Sequence, residues 1–234
     1  MSLTKSKAKT GSVCWNCGAE SVGAHFCAAC DKIQPLPRET SYFRFFDLPD
    51  KLQIDVAELE QRFHKLSWKL HPDNFVRAGE YERELSLERS SELNDAFRTL
   101  RDPIRRVEYL LRRAGLRKDG QSKQQAPPEL LEKVFRMNES LDELREARLA
   151  GGNGEEMAAL REQLQAAESD FEKSLADVDA ELEAAFAVWD AAVEAGAGPE
   201  ERQKLMGRMN EILNRRSYIR NLVENVRKEL AEAS

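Results

Sequence analysis

The chain has 234 residues, 41% of them hydrophobic and 33% charged, with 12 Gly and 8 Pro, a balance that suits a heavily solvated helical protein and excludes a collagenous or pervasively disordered one. Basic and acidic residues number 5 and 3 in residues 1–40, 16 and 14 in 41–118, and 15 and 25 in 119–234, so the acidic C-terminal half argues against nucleic acid as its main ligand. No apolar run approaches the roughly 20 residues of a membrane-spanning helix, and Met1 to Val13 lacks the apolar stretch of a secretory signal, so a soluble intracellular protein is expected.

Composition divides the chain into three zones: residues 1–40 with all four cysteines, 41–118, and 126–234. The first closes on Pro35-Leu36-Pro37, which reads as a short stiff linker. In the second, Asp55 and Glu58 form an N-cap and N3 pair ahead of Val56, Leu59, Phe63, Leu66 and Leu70, and Pro72 stops that helix near His71. A helix over about Tyr81 to Arg101 buries Leu85, Leu93, Ala96, Phe97 and Leu100; Asp102 and Pro103 open the next and Gly115 ends it, with Val107, Leu110 and Leu111 inward.

A polar linker, Lys118 to Gln125, leads into the third zone, where Pro127 and Pro128 start a helix with Leu130, Val134, Met137, Leu141 and Leu144 in heptad positions. Gly151-Gly152-Asn153-Gly154 breaks it. Two longer amphipathic helices follow, one carrying Leu160, Leu164, Phe171, Leu175, Val178, Leu182, Phe186, Trp189 and Val193, the other Leu205, Met209, Ile212, Ile219, Leu222, Val226 and Leu230. Short turns between three such helices imply an antiparallel three-helix bundle, so the fold class is all-α with a small cysteine knuckle at its start.

Cys14, Cys17, Cys27 and Cys30 form a C-x2-C-x9-C-x2-C array. Each pair points two thiolates at one place, and two facing pairs supply the four sulfurs of tetrahedral structural zinc, which leaves no open position for catalysis. Two disulfides or a thiol redox pair are the alternatives, though disulfide frameworks belong to secreted proteins and redox C-x-x-C opens a helix beside a sheet. With four sulfurs in place, His25 is expected to face solvent or stand behind the ligands. Trp15 is expected to cover the knuckle, Trp68 to shield the second zone near its loop, and Trp189 to pack in the bundle.

His71-Pro72-Asp73 follows a helix bearing Arg62, Lys65 and Lys69. A proline-stiffened corner with an acceptor-only charge at its tip, beside a cationic face, suits docking onto an acidic protein surface. An ordinary turn beside a solvated helix face is the plain alternative.

Three motifs in order carry a resemblance: Tyr42-Phe43-Arg44-Phe45-Phe46-Asp47-Leu48-Pro49, the helix ending in His71-Pro72-Asp73, and Arg106-Val107-Glu108-Tyr109-Leu110-Leu111. They resemble the J-domain of the HscB-type iron-sulfur cluster co-chaperones, and Cys14-Trp15-Asn16-Cys17-Gly18 is similar to the zinc-binding extension of mitochondrial and related members. The resemblance implies a J-domain and a three-helix bundle in an L shape. It implies a J-domain that recruits a DnaK/HscA-type chaperone and stimulates its ATP hydrolysis, and a bundle that holds an IscU-type scaffold protein. The co-chaperone itself is then no enzyme.

Carried over by position, His71, Pro72 and Asp73 are the stimulating loop, Arg62, Lys65 and Lys69 the chaperone-docking face, and Leu131, Phe135, Glu139, Glu143 and Tyr218 the scaffold-binding surface. Relatives usually carry an apolar residue at the position of Glu132, an acidic one at that of Arg136, and often Lys at that of Asn74. Without the resemblance, Leu131, Phe135 and Tyr218 read as bundle core; with it, they read as partner surface. The competing functions are a J-protein for another client, a zinc-dependent nucleic-acid binder using Lys5, Lys7 and Lys9, and a C-x-x-C redox enzyme. The expectation is structural zinc, no nucleic acid, no membrane, at most a weak homodimer, and a bacterial-type cytoplasm with the mitochondrial matrix as the alternative.

Overall fold

The computed structural model describes residues 13–21, 23–117, 128–151 and 154–232. Lys5, Lys7 and Lys9, the linker 118–125, Pro127, Gly152 and Asn153 lie outside the described residues. Two compact units emerge, Met1–Tyr109 and Leu110–Ser234. Among the described residues there is no β-strand, only two isolated antiparallel bridges in the cysteine segment, Val13 with Glu20 and Phe26 with Ile33.

In the first unit, α1 (Tyr42–Phe45) is a single turn capped by the Ser41 hydroxyl, which accepts from the Arg44 N–H. Helix α2 (Val56–Leu70) begins as the caps dictate: the Asp55 carboxylate accepts from the N–H groups of Ala57 and Glu58. It ends at Leu70, one residue before His71-Pro72, and a 3-10 turn, Pro72–Phe75, follows. Helix α3 (Glu80–Arg101) is followed by α4 (Pro103–Arg113), whose residues from Leu110 onward fall in the second unit; Asp102 accepts from the Arg105 N–H at 2.8 Å. At the end of α4, Gly115 has φ +72°, with Leu116 N–H on the Leu111 carbonyl and Gly115 N–H on that of Arg112, a Schellman close.

The core of this unit joins Phe43, Phe45 and Phe46 of the α1 turn to Leu59 and Leu70 of α2 and to Leu85, Leu93, Ala96 and Leu100 of α3. Ile33 and Leu36 are part of the same core, so the proline stretch expected as a linker is packed down by its central leucine. Tyr42 stacks on Tyr109 with ring centroids 4.3 Å apart. Buried Arg106 points into the unit and donates to the carbonyls of Leu100 and Leu52, so its charge is met by backbone oxygens. Val56, which opens the apolar series of α2, is exposed on its first turn.

The second unit holds α5 (Leu131–Leu149), entered through a 3-10 turn at Pro128–Leu130, with α6 (Gly154–Glu194) and α7 (Pro199–Glu232). Buried residues follow the expected stripes: Leu130, Met137, Leu141 and Leu144; Leu160, Leu164, Phe171, Val178, Leu182, Phe186 and Trp189; Met209, Ile212, Ile219, Leu222 and Val226. Arg216 pairs with Asp179 and Arg227 with Glu168, so numbers rise on α7 as they fall on α6 and the two helices run antiparallel. Arg145 pairs with Glu229 and Arg148 with Glu232, three apart on both helices, so α5 and α7 run parallel. Gly196, at φ +71°, closes α6 in a second Schellman turn, with Ala197 N–H on the Ala192 carbonyl. No described helix is long and apolar enough to cross a membrane.

Candidate functional site: a stapled corner beside paired cysteine knuckles

The two cysteine pairs sit on turns built alike. Cys14 N–H donates to the Ala19 carbonyl and Gly18 N–H back to that of Cys14; Cys27 N–H donates to the Lys32 carbonyl and Asp31 N–H back to that of Cys27. The fourth residue after the leading cysteine takes a left-handed backbone in both, Gly18 at φ +73° and Asp31 at φ +55°, the tight reversal that glycine or aspartate allows. Closest sulfurs pair across the turns, Cys14 with Cys30 at 3.6 Å and Cys17 with Cys27 at 3.7 Å, and all four lie within 4.8 Å of one another. A tetrahedron of metal–sulfur bonds of about 2.3 Å has edges of about 3.8 Å, so the donor set fits one soft four-coordinate ion, held by Cys14, Cys17, Cys27 and Cys30.

Electrostatics at the sulfurs are uneven. Burial disfavours the Cys14 thiolate, but N–H groups of Cys17 and Asn16 directed at its sulfur bring the thiol down to about 6. At Cys17 the Ala19 N–H favours the thiolate, yet the crowding sulfurs of Cys30, Cys14 and Cys27, with desolvation, push it up to about 12. A cation at the centre would relieve that crowding.

His25 does not face solvent and is not in the ligand cluster. Its ring is largely enclosed, edge-on to Phe45 at 4.6 Å, with Nε2 2.8 Å from the Phe45 carbonyl. A carbonyl can only accept, so Nε2–H is the donor of that bond; burial lowers the pKa of the ring. Trp15 donates Nε1–H to the Ile33 carbonyl at 2.6 Å and meets Tyr81 of α3 edge-on at 5.1 Å. It therefore joins the knuckles to α3.

His71, Pro72 and Asp73 form the corner between α2 and α3. The side chain of His71 is 57% exposed and that of Asp73 85%. Nδ1 of His71 accepts from the Asp73 N–H at 3.3 Å, and the Asn74 N–H donates to the His71 carbonyl at 3.0 Å. Behind the corner, Asn74 Nδ2 donates to the Trp68 carbonyl at 2.7 Å, while Ser86 and Ser90 of α3 donate to the Leu70 carbonyl at 2.7 and 3.0 Å. Carbonyls at the end of α2 that have no partner inside the helix are thus met by side chains on either side of the corner. The motif names Asn74 only as a departure and gives no sign of its bond to the Trp68 carbonyl, nor of Ser86 and Ser90. The two serines stand four apart, on one side of α3, Ser86 buried and Ser90 half-buried, a spacing that aims two hydroxyls in need of an acceptor at one place.

Lys65 and Lys69 are exposed on α2, but Arg62 is engaged: Nη1 donates to the carbonyls of Phe46 and Asp47 at 2.8 and 2.9 Å, and Nε and Nη2 to Glu58. Trp68 shields nothing; it is 80% exposed one turn before the corner. Leu131 and Phe135 of α5 are 54% and 69% exposed, while Leu130 just before the helix is buried and Val134 half-buried, so the two rows, about 100° apart around the helix, divide between solvent and core. Glu139 and Glu143 extend the outward row, and Tyr218 on α7 is half-buried. Glu132 and Arg136, the two departures from the usual pattern, pair with each other across one helical turn.

No protein-family model matches the chain. An iron-sulfur cluster co-chaperone protein HscB homolog of Arabidopsis thaliana is 32% identical over 135 residues, 58% of this chain and 53% of that protein. A co-chaperone protein HscB homolog of Photobacterium profundum is 35% identical over 107 residues, 46% of this chain and 63% of that protein. The chain therefore spans less than two thirds of the length of these curated relatives. The crystal structure of human co-chaperone protein HscB superposes with a TM-score of 0.60 and 25% identity, over 93% of this chain and 98% of that one. An all-α chain with a four-cysteine cluster at its start matches that fold. Likeness in sequence and likeness in fold agree: both point to co-chaperone proteins of the HscB type as what this chain is similar to.

Proposed function

We propose that this protein is a J-domain co-chaperone of iron-sulfur cluster assembly, which presents His71, Pro72 and Asp73 to a DnaK/HscA-type chaperone while its helical bundle holds an IscU-type scaffold. The bond broken is the chaperone's ATP; this chain supplies a surface that favours the chaperone conformation nearer hydrolysis over its resting one. Holding both partners on one chain raises the local concentration of client at the chaperone. Three segments divide the work: the cysteine extension to residue 40, holding zinc; the J-domain over 41–118; and the bundle over 126–234. Action is in the cytoplasm.

The observation that carries this reading is the exposed corner at His71-Pro72-Asp73, stapled from behind and flanked on α2 by free-standing Lys65 and Lys69. Steady-state ATP hydrolysis by a DnaK-type chaperone, with scaffold present, tests it. The parent chain accelerates turnover, and His71→Gln returns it to the rate of the chaperone alone. No acceleration by the parent at saturating concentration rejects the reading.

A further inference from the structure

We propose that the cysteine knuckles are a positioning element for the stimulating loop: they clamp the first turn of α3, and α3 in turn fixes the Leu70 carbonyl from which His71 departs. The inference rests on the co-chaperone reading and deepens it, because it gives the extension a part in loop placement rather than a separate fold of its own.

Each knuckle contributes one side chain to the clamp. From the first, Trp15, adjacent to Cys14, meets Tyr81 edge-on at 5.1 Å. From the second, Lys32 reaches Glu82 at 2.9 Å. The Glu82 side chain is only 9% exposed, so its carboxylate depends on that partner. Backbone geometry ties the clamp to the sulfur cluster: the Cys27 N–H that closes the second knuckle donates to the carbonyl of Lys32 itself. A change in the arrangement of the cysteines therefore moves the residues that hold Tyr81 and Glu82.

From Glu82 the coupling runs along one helix. Ser86 lies four residues on, about 6 Å up the axis, and is fully buried with its hydroxyl on the Leu70 carbonyl; Ser90 donates to the same oxygen from the next turn. That carbonyl belongs to the last helical residue before His71, whose ψ of 131° turns the chain out of α2. A helix is a stiff element with contacts at both ends of this span, which is the physical condition for coupling two places through it.

Amide hydrogen exchange on the full chain tests the proposal, in three samples: the parent loaded with one equivalent of zinc, the parent stripped by a chelator, and zinc-loaded Lys32→Glu with its metal content measured. The reporter is the Asn74 amide, which is bonded to the His71 carbonyl. It exchanges about tenfold faster in the stripped parent and in Lys32→Glu, as local opening predicts. Protection in α7 is unchanged. The double variant Lys32→Glu, Glu82→Lys restores the pair and returns the Asn74 rate toward that of the parent. With the chaperone, Lys32→Glu raises the concentration needed for half-maximal stimulation and leaves the maximal rate in place.

Unchanged Asn74 exchange in a stripped chain whose Gly18 and Asp31 amides have lost protection overturns the proposal. So does a uniform loss that includes the Leu93 and Leu100 amides, since the knuckles would then merely support the whole unit. If the zinc-loaded parent fails to accelerate ATP hydrolysis, the co-chaperone reading falls, while the exchange rates still decide whether the knuckles position the corner.

Discussion

Arg62 reaches sixteen residues back along the chain to donate from Nη1 to the carbonyl of Phe46, at 2.8 Å, and to that of Asp47 at 2.9 Å. Those carbonyls end the short α1 turn, and Asp47 itself has a left-handed backbone at φ +55°. The guanidinium thus serves as the C-terminal cap of a helix too short to stand alone. A residue that sequence position groups with Lys65 and Lys69 as a docking cation is, in the fold, tied to its own backbone.

Arg62 and Lys65 should therefore fail in different ways when truncated. Arg62→Ala removes charge-assisted bonds to two carbonyls and should lower the stability of the first unit by about 1 to 2 kcal/mol, measured by chemical denaturation. Lys65→Ala, at an exposed position, should shift stability by less than about 0.5 kcal/mol. Its effect should appear in chaperone association, as a slower on-rate at low salt that converges with the parent as salt rises. Equal stabilities for the two variants would contradict the capping role.

Trp68 provides an optical test of the same face. It is 80% exposed, while Trp15 is half-buried and Trp189 is buried in the bundle. Acrylamide should quench one emitting component readily, and that component should vanish in Trp68→Phe with the melting temperature unchanged. Adding an ATP-loaded chaperone should protect it, since the residue stands one turn from His71. Uniform quenching of all three indoles in the folded chain would refute the exposure.

Local signals are legible in the sequence because they act over a few residues. Asp55 and Asp102 cap the helices they precede, Pro72 ends α2, and Gly115 and Gly196 close α4 and α6. The apolar stripes of α6 and α7 met their expected faces because a single period of 3.6 governs long regular helices. Long-range partners were not legible. Nothing near Arg62 announces the Phe46 carbonyl, nothing near Ser86 announces Leu70, and His25 is enclosed by Phe45 rather than by its own neighbours. Trp68 differs from expectation for the opposite reason: its bulk suggests shelter, but its position on α2 leaves it exposed.

The α5 surface separates binding from stability by position alone. Phe135→Ala, at a residue 69% exposed, should change bundle stability by less than about 0.5 kcal/mol and abolish or sharply weaken capture of an IscU-type scaffold in a pull-down. Leu164→Ala, at a residue with no exposure, should cost about 2 to 5 kcal/mol through lost burial and the cavity left behind. Retained scaffold capture by a folded Phe135→Ala chain would remove this row from the binding surface. Glu132 and Arg136, paired across a turn beside it, offer a graded version. Glu132→Leu frees the arginine and makes the row both greasier and more cationic, so scaffold affinity should change with a salt dependence that the parent lacks.

Acid should loosen the bundle at one identifiable place. The hydrogen bond from Arg145 outweighs partial burial and holds the Glu229 carboxyl below the ordinary glutamate range. A carboxyl whose folded value is depressed binds fewer protons in the native than in the unfolded chain, so stability rises with pH through that interval. The contribution is complete above the unfolded value of about 4.3 and disappears as pH falls through the folded one. Melting of the parent should be level between neutrality and about pH 5, then decline. Glu229→Gln has no proton to take up there; its melting temperature should start slightly lower and decline less steeply. Parallel acid curves for the two chains would mean that Arg145 and Glu229 touch without contributing to the pH dependence of the bundle.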